Sequence, residues 1–266
     1  MRFLAPFYLA CILFATANGA SAATPPTVFL DELTWTELRD RIASGKTTVI
    51  IPIGGTEQSG PHMALGKHNV RVHVLAGRIA AELGNALVAP VVAYVPEGPV
   101  DATSGHMRYP GTITVPPDAF RALLEGAARS FRRAGFRDVV LIGDHGGYQG
   151  ELAAVAARLN REWAATPVRA HFIAEYYRAG VEPYAQALRG KGLTDAQIGL
   201  HAGAADTSLM LAVDPRLVRA DRLAAAPAAG DGTSGDARPS TAALGQLGVE
   251  LIVARSVNAI RRAVVR

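Results

Sequence analysis

Four apolar runs rich in β-branched residues, 47–53, 86–95, 138–142 and 168–173, punctuate a chain whose intervening segments carry helical periodicity. Runs that are apolar on both faces suit strands covered by helices on each side. The segment 70–83 places Val70, Val74, Ala76, Ile79 and Leu83 on one helical face. The segment 118–134 opens after Pro116-Pro117 and stops at Gly135, a start and a stop with clear physical causes. Segments 151–163 and 240–265 complete the helical set. Alternation of this kind predicts one α/β domain with a mainly parallel sheet. Right-handed crossovers then bring the loops after Ile53, Ile142 and Ile173 to one edge, where open α/β sheets hold their ligands. Two stretches break the alternation: 96–116, a Gly/Pro/Thr-rich loop expected over that edge, and 224–239, an excursion or lid.

Residues 1–22 stand apart from this pattern. Arg2 supplies a positive start, 3–16 is almost wholly apolar, and Ala20-Ser21-Ala22 has the small-residue pattern of a cleavage site. The apolar run is shorter than the ~20 residues that span a bilayer, so a removed signal peptide is expected rather than an anchor. The mature protein is then a single domain over 23–266, periplasmic or secreted, with no membrane association. Its one cysteine, Cys11, leaves with the signal, so neither disulfide nor thiolate chemistry is available. Loss of Arg2 takes the formal net charge from +4 to +3. The basic residues are dispersed without interleaved aromatics, which argues against a nucleic-acid partner.

Chemistry concentrates in three places. Residues 49–69 run from a buried strand into a loop carrying Glu57, His62 and His68, a mixture of oxygen and nitrogen donors that suits a divalent metal. Ile142-Gly143-Asp144-His145-Gly146-Gly147 follows a strand and precedes a helix, and its glycines permit a tight turn that projects His145 into the same crevice. Leu200 to Ser208 carries His201 in a small-residue loop, with Asp206 or Thr207 placed to cap the helix after it. His73 and His171 fall within a helix and a strand pattern, and Trp35 and Trp163 within helices. All four read as packing residues.

Taken in order, these strings resemble the creatininase family of metal-dependent amidohydrolases. The family signature runs E-Q-H-G-P-H-L-P-L, a T-D pair, N-G-H-G-G-N and H-A-G-x-x-E-T-S. Here the corresponding positions hold Glu57 to Leu65, then His68, then Gly143 to Gly147, then His201 to Ser208, and His106 to Thr112 is similar to an H-x-P-G-T loop. The resemblance implies a three-layer α/β/α sandwich and a divalent ion, zinc, manganese or iron. It implies Glu57, His68 and His145 as ligands, His201 as a proton-transferring or substrate-contacting catalytic histidine, and Asp206, in place of the usual glutamate, as a catalytic residue that orients it. Ser59, His62, His106, Gly146, Gly147 and Tyr177 fall where substrate is contacted. By family analogy a homo-hexamer is possible.

The departures matter as much. Ser59 replaces a metal-binding histidine, His68 replaces an aspartate, and Gly147 stands where creatininase has a glutamate for a second metal. One ion per chain is therefore expected. The function expected is hydrolysis of a C–N bond in a small cyclic or linear amide by metal-activated water. The alternative is a degenerate relative that binds a small ligand without turnover.

Overall fold

The computed structural model describes residues 27–102 and 104–265, so the expected signal peptide lies outside the described residues. Four strands, β1 (Thr48–Ile53), β2 (Ala86–Val88), β3 (Asp138–Gly143) and β4 (Arg169–Phe172), form one parallel sheet in the order β2-β1-β3-β4. Among the described residues ten α-helices surround it: α1 (Trp35–Ala43), α2 (Lys67–Leu83), α3 (Pro117–Ala134), α4 (Gln149–Glu162), α5 (Ala174–Gly180), α6 (Glu182–Arg189), α7 (Asp195–Ile198), α8 (Ala204–Val213), α9 (Ala220–Leu223) and α10 (Ala242–Val264).

Strand periodicity explains the layers. Side chains alternate across a sheet. In β1, Val49, Ile51 and Ile53 face one core with Val139 and Leu141 of β3, while Ile50 faces the other with Val140 and Ile142. The first core is closed by Phe120, Leu124 and Ala128 of α3 and by Leu152, Val155 and Leu159 of α4. The second is closed by Val72, Leu75 and Ile79 of α2 and by α5, α6, α8 and α10. The result is the expected α/β/α sandwich.

Because α2 covers one face and α3 and α4 the other, the winding reverses between the adjacent strands β1 and β3. Such a switch point opens a crevice at the carboxyl ends of the strands. Ile53 pairs with Gly143, so both strands end level and their loops leave side by side.

Three elements differ from expectation. The run 86–95 yields only the short β2, because Pro90 has no N–H to give the ladder; beyond it, pairing survives as an isolated bridge between Val92 and Ile53. Helix α2 begins at Lys67, not at Val70, which puts His68 on a helix rather than in a loop. Helix α8 begins at Ala204 with Gly203 before it, so Asp206 and Thr207 lie within the helix and cap nothing. Trp163 is fully buried as expected, but Trp35 is 75% exposed at the first position of α1. His73 stacks on Phe29 and His171 bonds Asp138, both structural.

Helix α10 is apolar enough to cross a bilayer by length and composition, yet Val249, Ile252, Val257 and Ile260 are buried in the core. Gly245 lets it press against α8: a methyl group there would collide with the Ser208 carbonyl. Gly126, in the exposed middle of α3, has nothing near its absent side chain. The same substitution should therefore act with opposite sign at the two sites. Gly245→Ala is expected to destabilise by about 2 kcal/mol through overpacking. Gly126→Ala is expected to stabilise by about 0.5–1 kcal/mol through backbone entropy. Urea unfolding midpoints measure both.

Candidate metal centre

A single phenol locks the two strand ends together. The Tyr148 hydroxyl accepts the N–H groups of Asp144 and His145 (both 3.1 Å) and lies 2.8 Å and 2.6 Å from the carbonyls of Ile53 and Gly54. Tyr148 is fully buried, so this clamp sets the His145 turn against β1 without competition from water. The loop after β1 is held in turn by the Glu57 N–H, which donates to the Leu65 carbonyl at 3.2 Å.

Glu57 is the hub. Its side chain is fully buried, with Oε1 2.8 Å from His68 Nε2 and 3.7 Å from His201 Nδ1. Oε2 faces His145 Nε2 at 3.4 Å and His106 Nε2 at 3.5 Å, and has no hydrogen-bond partner. Two donor sets result, Glu57/His68/His145 and Glu57/His106/His201, each with its donor atoms within 4.8 Å of one another.

Hydrogen bonding distinguishes the sets. The Gln58 side-chain nitrogen lies 3.0 Å from the Gly232 carbonyl, and Gln58 Oε1 accepts the Gly60 N–H at 3.0 Å, which fixes the amide orientation. That nitrogen therefore donates to His106 Nδ1 at 2.9 Å, placing the His106 proton on Nε2 and making it a donor toward Glu57. His68 has the opposite arrangement. Its Nδ1 donates to Asp144 Oδ1 at 2.5 Å and its Nε2 lies 2.8 Å from Glu57 Oε1, so Asp144 keeps the Nδ1 proton while a metal would take the place of the one on Nε2. Behind His145 stands Glu97, whose buried and unpartnered Oε1 is 3.4 Å from Nδ1. The first set therefore suits a cation. A buried carboxylate oxygen lacking any donor, beside the His68 imidazole that Asp144 backs and the His145 ring, is the chemistry a divalent ion satisfies.

Several partners were not foreseen. Lys67 is fully buried, with Nζ 3.1 Å from Asp206 Oδ2 and 3.5 Å from Glu57 Oε1. Arg71, one turn along α2, bonds Asp144 through Nε (2.8 Å) and Asp206 Oδ1 through Nη1 (2.9 Å). The Tyr176 hydroxyl donates to Asp144 Oδ2 at 2.7 Å. Spacing held the signal for these: Lys67, His68 and Arg71 share one end of a helix, and Asp144 precedes His145. Nothing marked Glu97 or Tyr148.

The remaining residues fall unevenly. A cavity of about 800 Å³ opens above the centre, and His106, Gly146, Tyr177 and His201 line it. Ser59, His62 and Gly147 do not. Ser59 is buried with an unpartnered hydroxyl, His62 is buried against Thr207 (Nε2 to Oγ1, 2.9 Å), and the Gly147 N–H turns to His145 Nδ1 at 3.3 Å. Asp206 does not orient His201, since Lys67, Arg71 and the Ala202 N–H engage it. The His201 partner is the Gln58 carbonyl, 2.9 Å from Nε2, which leaves Nδ1 turned to Glu57. Its loop is strained, with Ala202 the only non-glycine residue at positive φ (55°) among those described. The excursion 224–239 folds back here, Ser234 pairing with His201.

Residues 31–260 match the creatininase (creatinine amidohydrolase) family model. The creatinine amidohydrolase of Pseudomonas putida is 28% identical over 88% of this chain and 96% of its own length. The mycofactocin precursor peptide peptidase of Mycolicibacterium smegmatis is 31% identical over 66% of this chain and 61% of its own. Solved manganese and zinc–zinc forms of creatininase superpose with TM-scores of 0.72 and 0.71, at 28% identity over 89% of this chain and 98% of theirs.

Burial opposes charge throughout the centre. It pulls His145 down to about 3 and His201 down to about 4, with the positive charges of His68 and Lys67 adding to the effect, so both rings are neutral. It pushes Glu97 up to about 8, helped by the Glu57 charge. For Glu57, Asp144 and Asp206 burial is outweighed by neighbours, His68 and Lys67 for Glu57, Arg71 and His68 for Asp144, Lys67 and Arg71 for Asp206; all three stay ionised. At pH 5 the unfolded chain protonates both histidines and the folded protein does not, so stability falls with acid below pH 6.5, by up to about 1.4 kcal/mol per pH unit per histidine. Glu97 acts oppositely: the folded protein keeps a proton that the unfolded chain releases, so stability falls as pH rises from 4.5 to about 8. Metal-free protein in chelator is thus expected to be most resistant to urea near pH 6–7. Glu97→Gln should flatten the alkaline side and steepen the acid side between pH 4.5 and 6.5, where Glu97 opposes the histidines.

Proposed function

The chain belongs to the creatininase family of amidohydrolases, and we propose that it hydrolyses a C–N bond in a small cyclic or linear amide at a divalent-metal centre. The observation that carries this reading is the convergence of Glu57, His68 and His145 at the switch point, with the unpartnered Glu57 oxygen between them. These three residues would hold the ion, zinc, manganese or iron. When bound, the ion lowers the pKa of water towards ~7 and polarises a carbonyl oxygen.

The chain supplies the rest. Asp144 fixes the His68 ring and Glu97 backs the His145 ring, which keeps both Nε2 atoms turned to Glu57. With its Nε2 proton given to the Gln58 carbonyl, His201 presents the Nδ1 lone pair to the reacting centre and accepts a proton there. It returns that proton to the departing nitrogen. Tyr177, Gly146 and His106 line the cavity where a flat polar group would lie. A cavity of about 800 Å³ admits a substrate bearing a side arm as well as a bare lactam. We place the protein outside the cytoplasm on the strength of Arg2, the apolar run 3–16 and Ala20-Ser21-Ala22.

The test is metal analysis beside a panel of lactams and linear amides. Wild type is expected to retain a divalent ion through gel filtration, and Glu57→Gln and His145→Ala to lose it together with activity. His201→Asn should keep the ion while kcat falls by about 10²–10⁴. Folded wild-type protein with no ion and no turnover would favour the ligand-binding alternative.

A further inference from the structure

Within this reading one pair of side chains is left over. Lys67 has no solvent-accessible surface, while Arg71 is 5% exposed. Fully buried lysines are rare because their charge must be satisfied in full. Here the satisfaction comes from the same carboxylates that surround the metal centre: Lys67 touches Glu57 and Asp206, and Arg71 touches Asp206 and Asp144.

We infer that Lys67 and Arg71 are resident cations that take the electrostatic place of a second metal ion and limit this centre to one. The inference rests on the metal-centre reading above. Three carboxylates, Glu57, Asp144 and Asp206, face two fixed positive groups, so one negative charge remains. One divalent ion turns that remainder to a single positive charge; two would leave a large positive excess around a largely buried carboxylate. Geometry agrees with the count. The second oxygen of each carboxylate is already taken: Asp206 by Lys67 and Arg71, Asp144 by Arg71 and Tyr176. Of these three carboxylates, only Glu57 keeps an oxygen without a hydrogen-bond partner. Lys67 and Arg71 are four residues apart on α2 and so share the face that carries the charge to the site. A zinc–zinc form exists for creatininase. Against the signature quoted above, Lys67 for threonine and His68 for aspartate add two positive charges, the charge of one divalent ion.

Metal stoichiometry tests this without reference to turnover. Wild type and Lys67→Met are each saturated with Zn²⁺ or Mn²⁺, passed through gel filtration and analysed for metal per chain, with binding titrated in parallel. The expected result is one ion in wild type. In Lys67→Met either a second ion or at least tenfold tighter binding of the first is expected, because the methionine keeps the length and removes the charge. Two ions in wild type would overturn the inference, as would a Lys67→Met protein that binds one ion no more tightly than wild type. If wild type binds none and Lys67→Met binds one, the metal centre falls while the resident-cation role stands. Thermal unfolding guards against a folding defect. Lys67→Met should be stabilised by metal more than wild type is, and a variant that does not fold even with metal leaves the decision to the wild-type count.

Discussion

A carboxylate held out of water governs this structure. Glu57 sits at the end of a central strand with no solvent contact, and its charge survives only because its neighbours answer it. Each answer creates another demand. Lys67 balances Glu57 and must itself be shared with Asp206; His68 bonds Glu57 and turns its other nitrogen to Asp144; Asp144 then needs Arg71 and Tyr176. Removing one partner of such a buried set costs about 3–5 kcal/mol, because the others are left uncompensated. The set is therefore retained or lost as a whole.

Backbone architecture makes that set possible. The level ends of β1 and β3 bring two loops within reach, and the Tyr148 hydroxyl ties both to one point. Helix α2 contributes its first turn rather than its middle, so Lys67, His68 and Arg71 enter the centre from a rigid element. Helix α8 contributes Asp206 from within its own first turn, pressed into place by α10 through the close approach at Gly245.

Much of this was legible in the sequence. Glu57, His68 and His145 follow strand ends, and strand ends on a parallel sheet converge, so their meeting was expected from topology. The alternation of runs sufficed for the sandwich. What escaped reading shares one cause: a pattern of single residues does not reveal burial. Lys67 and Arg71 on a helix look like solvated charges until the helix is known to begin at the site. Asp206 looked like a cap or a partner for His201, yet the lysine and arginine hold it. His62 and Ser59 occupy motif positions but point into packing, and Trp35 reads as core only if α1 is assumed to start earlier. Pro90 within an apolar run should have shortened β2, since a proline cannot donate to the ladder.

The cavity has two origins. Its floor comes from the strand ends and α2, whereas its outer wall comes from α5 to α7 and the loop before His201, with Leu200 almost wholly exposed at the mouth. Tyr176 ties wall to floor through Asp144, and the residues beyond that tie can drift under selection while the floor stays fixed. A lineage built this way is free to exchange what it recognises by rewriting the 177–200 segment, while Tyr176 keeps its bond to Asp144 in the charged foundation beneath.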